Sequence, residues 1–78
     1  MYIAVMRARC IQYVRHTNID VATVTIDEVQ QKAQQLFPEI AGALALHVAT
    51  GILAAQLNES GIVVTWPNTG YDFSAPLA

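Results

Sequence analysis

The sequence predicts a small α+β domain of three helices, with a short strand between the first two and a β-hairpin at the C-terminal end. Apolar residues recur at three- and four-residue steps in three separate segments, the mark of helical faces. Short β-branched runs without that period stand at Val21 to Val24 and at Ile62 to Trp66. The second run is followed by the turn formers Pro67-Asn68-Thr69-Gly70 and then by Tyr71 to Phe73, so residues 62–73 read as a hairpin.

Seventy-eight residues bury too little surface to divide among several cores, so residues 1–78 form one domain. Apolar residues make up 54% of the chain and charged residues 13%, which excludes a disordered chain and leaves apolar surface to spare for an interface. Four Lys and Arg against six Asp and Glu give a formal charge of -2, so the chain has no general attraction for phosphate backbones or anionic membranes. The single cysteine, Cys10, rules out an internal disulfide and fits a cytoplasmic setting. No metal, cofactor or membrane anchor is expected: no Cys/His cluster has ligand spacing, Arg7 and Arg9 follow the apolar opening, and the run Ile40 to Ala55 is short for a bilayer.

The first helix, residues 2–16, places Ile3, Met6, Cys10, Tyr13 and Val14 on one stripe and Arg7, Arg9, Gln12 and Arg15 elsewhere. The second starts at Thr25-Ile26-Asp27-Glu28, a capping box: the Thr25 hydroxyl takes an early amide and Glu28 takes the Thr25 amide. Val24 and Val29 are spaced for a hydrophobic staple, Ile26, Val29, Ala33, Leu36 and Phe37 share a face, and Pro38 ends the helix, giving residues 26–37. The third, residues 41–59, closes at Gly61, which supplies a left-handed residue. It carries two apolar rows, Leu44, Val48, Ile52 and Ala55 in one and Leu46, Ala49, Leu53 and Leu57 in the other, with a narrow strip of His47, Thr50 and Asn58. Such a helix wants cover on both sides, and the pattern leaves open which row is core.

The order helix, strand, helix, helix, hairpin resembles the winged helix-turn-helix. Val24 to Val29 is similar to the start of the second helix in such domains, and Ile52 to Val63 to the end of the third helix and its entry into the wing. The resemblance implies a small winged-helix-like fold and, for most members, DNA binding through the third helix. This chain departs from that pattern: from Glu39 to Ala78 there is no Lys or Arg.

Among residues with chemical potential, Cys10 falls on an apolar stripe and reads as an inert core thiol, and His16 as a helix-end residue favouring the dipole. His47 reads as a boundary or interface histidine, with no carboxylate one turn away to orient it as a base. Asp27 and Glu28 are explained as first-turn and capping residues, and Trp66 and Tyr71 as packing residues beside the turn. No catalytic grouping stands out. The expected function is therefore a non-enzymatic interaction module on a winged-helix frame. It would bind a protein partner and self-associate as a homo-oligomer through Leu46, His47, Thr50, Leu53 and Leu57. A small acidic phage or mobile-element inhibitor of a host machine fits that description. The alternative is a DNA-binding regulator contacting nucleic acid through Arg7, Arg9, Arg15, Gln56, Asn58 and Asn68.

Overall fold

The computed structural model describes residues 3–17, 21–40 and 42–65. In chain order these form α1 (Ile3–His16), β1 (Thr23–Thr25), α2 (Ile26–Leu36), α3 (Ala43–Glu59) and β2 (Val63–Thr65). α2 begins where its capping residues dictate. The Thr25 hydroxyl accepts from the Glu28 amide at 3.2 Å and the Glu28 carboxylate accepts from the Thr25 amide at 3.1 Å, satisfying two amides at the helix start. The helix stops one residue before the predicted end, at Phe37, whose backbone leaves helical geometry ahead of Pro38.

α3 ends in a Schellman motif. The Ile62 amide donates to the Leu57 carbonyl and the Gly61 amide to the Asn58 carbonyl, both at 3.0 Å, while Gly61 holds φ +89°. Leu57 and Ile62 meet in the core, the hydrophobic contact that accompanies this closure.

The core joins one face of each helix to one strand residue. Met6 and Cys10 of α1, Ile26, Val29 and Ala33 of α2 with Phe37, Ala49, Leu53 and Leu57 of α3, and Val64 of β2 are buried together. Ile3, predicted on the inward stripe, is exposed because the first turn of α1 projects past that cluster.

The strands depart from expectation. β2 pairs with β1, in parallel, with Thr23 opposite Val63, Val24 opposite Val64 and Thr25 opposite Thr65. A hairpin partner for β2 was expected across the Pro67–Gly70 turn. Among the described residues the partner is instead a strand some forty residues earlier, brought alongside by α2 and α3, as a parallel pair requires. The pairing is extended by the Val63 amide donating to the Ala22 carbonyl at 2.9 Å and the Thr65 hydroxyl to the Val24 carbonyl at 3.2 Å. The rest of the expected hairpin, from Trp66 to Phe73, lies outside the described residues.

Candidate functional site

Between Ile40 and Asn58 the chain carries no Asp, Glu, Lys or Arg, so no carboxylate, ammonium or guanidinium distinguishes the sides of α3 over that stretch. Successive helical residues turn by about 100°, which aligns Leu44, Val48, Gly51 and Ala55 along one line. That line lies opposite the buried side of α3. Leu44 is 65% exposed, Ala55 is exposed and Gly51 is half-buried, while Val48, with Ile52 beside it, is half-buried and rests partly against the edge of the core.

The interface expected on the opposite row is therefore corrected. Leu53 and Thr50 have no exposed surface and Leu57 has 5%, because this side of α3 packs onto α1 and α2. Leu46 is partly buried against the same core. Thr50 tolerates that position because its hydroxyl donates to the Leu46 carbonyl at 2.7 Å, one turn back. His47 stands on the shoulder between the two sides, half-buried.

Gly51 is the residue whose sequence signal was overlooked. Glycine inside a helix costs about 1 kcal/mol relative to alanine, so it needs a reason. Among the described residues there is none: a Cβ built on Gly51 meets no atom within 4 Å. The missing side chain opens a notch in the middle of the outward line, between Val48 and Ala55.

The basic residues do not converge. Arg9 reaches from α1 to the end of α2, where its Nη1 donates to the Leu36 carbonyl at 3.1 Å and to the Glu39 carboxylate at 2.7 Å. Its guanidinium lies 5.0 Å from the centre of the Phe37 ring. α2 has no basic residue in its own last turn, so Arg9 supplies from another helix the cation that a helix C-terminus favours. Arg9 thus ties α1 to the end of α2. Lys32 lies 5.6 Å from the Tyr13 ring centre and donates to the Gln35 side chain. Arg7 and Arg15 are exposed, about 12 Å apart along the axis of α1 and rotated by about 80°. Of the amides expected to read DNA, Gln56 is buried, Asn58 is exposed, and Asn68 lies outside the described residues.

Among the described residues, clefts lie at two places. One of about 370 Å³ lies between the end of α2 and the start of α3, over Phe37, Pro38, Ile40 and Leu46, with Gln34 at its edge. Its lining holds no titratable side chain. The smaller, about 160 Å³, is floored by Val24, Val29, Leu53 and Leu57, and its charged members are engaged elsewhere, Glu28 in the capping box and Lys32 over Tyr13.

Burial pushes the Cys10 thiol up to about 11, against the opposing pull of the Arg9 charge, so it is a protonated core side chain at neutral pH. A hydrogen bond from its own backbone amide, and then that from Arg9, hold the half-exposed Glu39 carboxyl below the usual carboxylate range. Among the described residues no group of His, Cys, Asp and Glu could hold a metal ion, and no helix is long and apolar enough to cross a membrane. No family model, curated protein or solved structure matches the chain.

Proposed function

We propose that this chain is a non-enzymatic interaction module that engages a protein partner through the outward face of α3. The observation that carries this is the line Leu44, Val48, Gly51 and Ala55, uncharged, exposed at Leu44 and Ala55 and half-exposed between them, along a helix whose other side is spent on the core. Contiguous exposed apolar surface on a small domain is a recurring mark of docking surfaces. The order of elements supports a winged-helix frame, with α3 in the position of the recognition helix but carrying apolar side chains where a DNA reader carries cations. A small acidic inhibitor from a phage or mobile element, occupying a groove on a host machine, is the class of protein this describes.

Leu44→Glu tests the proposal, since it places a charge on the docking face at a position that contributes little to the core. The tagged protein and the variant are each used to capture partners from a nuclease-treated host lysate, with circular dichroism as the check on folding. A protein retained by the wild type and lost with Leu44→Glu at unchanged helicity, whether it comes from the lysate or is an untagged copy of this chain added to it, is the expected result. Capture that is indifferent to Leu44→Glu, or recovery only of nucleic acid released by moderate salt, would overturn it in favour of a DNA-binding regulator using Arg7, Arg15 and Asn58.

A further inference from the structure

Leu44, Val48, Gly51 and Ala55 are spaced by four, three and four residues, the seam spacing of two helices that wind around each other with side chains in each other's gaps. Size falls along the line, from leucine and valine at its amino end to glycine and alanine at its carboxyl end. Two such lines laid parallel set large against large and gap against gap. Laid antiparallel, they set Leu44 opposite Ala55 and Val48 opposite Gly51, so every layer joins one long side chain to one short one.

We infer that α3 docks on α3 of a second copy of this chain, antiparallel, about a two-fold axis between the Val48 and Gly51 layers. A two-fold axis makes each contact occur twice, so the four residues fill four layers without a void. The notch at Gly51, which no described residue occupies, receives Val48 of the other copy and lets the helix axes approach to about 8 Å, the short end of the packing range. The inference rests on the outward face of α3 being the docking face and adds its occupant.

Charge points to the same occupant. A face without Asp, Glu, Lys or Arg from Ile40 to Asn58 gives a charged partner nothing to pair with, and meets its own copy without repulsion. The register also sets the exposed Glu59 of each copy level with the start of the other copy's α3. That helix start has no side-chain cap and no acidic residue in its first turn. A carboxylate beside an uncapped helix N-terminus is an attractive pairing, and the symmetry supplies it at both ends.

Sedimentation equilibrium on the purified chain tests the pairing, with an interface of one helix pair expected to dissociate on the order of micromolar. Gly51→Leu is expected to weaken the dimer by at least about tenfold, since it fills the notch, while leaving the monomer folded by circular dichroism. A mixture of Leu44→Cys and Ala55→Cys chains, mildly oxidised, is expected to yield the mixed disulfide in preference to the Leu44→Cys homodimer. A wild type that stays monomeric overturns the pairing, and so does a dimer indifferent to Gly51→Leu or cross-linked Leu44→Cys to itself. If the wild type is monomeric while Leu44→Glu still abolishes capture of another protein, the second copy is refuted and the docking face stands.

Discussion

Arg9 shows how one side chain can be claimed by the fold before it is offered to a partner. Its bond to the Leu36 carbonyl and its place over the Phe37 ring fasten α1 to the end of α2. The ion pair with Glu39 adds little, because both side chains are 39% to 46% exposed and water screens them. Arg9→Ala should lower unfolding stability by about 1–2 kcal/mol in urea titrations, mainly through the unpaired carbonyl and the lost ring contact. Added salt should change that loss only slightly. Nothing local to Arg9 announces this role, since its partners lie about thirty residues away, and helical spacing separates Arg7 from Arg9 without saying where either ends. Cys10 was more legible, because its place on the apolar stripe of α1 already implied burial. Its folded pKa of about 11 stands above the ordinary 9.0, so its contribution to stability is complete below pH 9.0 and is lost as pH rises through about 11. Urea titrations across that range should show a decline in the wild type, on the order of 2 kcal/mol at most, that is missing from Cys10→Ala.

At the scale of elements, helix ends were the most readable features because their signals are local. Thr25 and Glu28 specify the start of α2, and Gly61 the end of α3, through bonds spanning only a few residues. Gly61→Ala should cost about 1–2 kcal/mol in thermal or urea unfolding, because it forces a residue with a Cβ into the left-handed region at φ +89°. The sides of α3 were not readable in the same way. Apolar residues surround most of its circumference, so periodicity alone does not say whether Leu53 or Val48 faces inward. Packing decided it: α1 and α2 cover the row with Ala49, Leu53 and Leu57 and leave Leu44 outside. Gly51 was the discriminating signal, since a helix-weakening residue whose Cβ would meet no described atom marks the side of α3 that does not pack onto α1 and α2.

For the molecule as a whole, the expected three helices and two of the expected strand segments are present, and their pairing is what the sequence concealed. Strands three residues long carry too few side chains to choose a partner by pattern, and the Pro67–Gly70 turn pointed to a neighbour outside the described residues, whereas the neighbour described is β1, in parallel. That sheet gives Thr25 two roles in adjacent directions: it is the last residue of β1, opposite Thr65, and the cap of α2, with no connecting residue between them. The strand register and the rotational phase of α2 are therefore set by the same residue. One residue inserted after Thr25 would turn α2 by about 100° and carry Ile26, Val29 and Ala33 off the core. One inserted before Ala22, whose carbonyl accepts from Val63, would leave both roles untouched. Variation in chain length thus has a sharp boundary at Ala22: tolerated on the side of α1, and excluded from there through the start of α2.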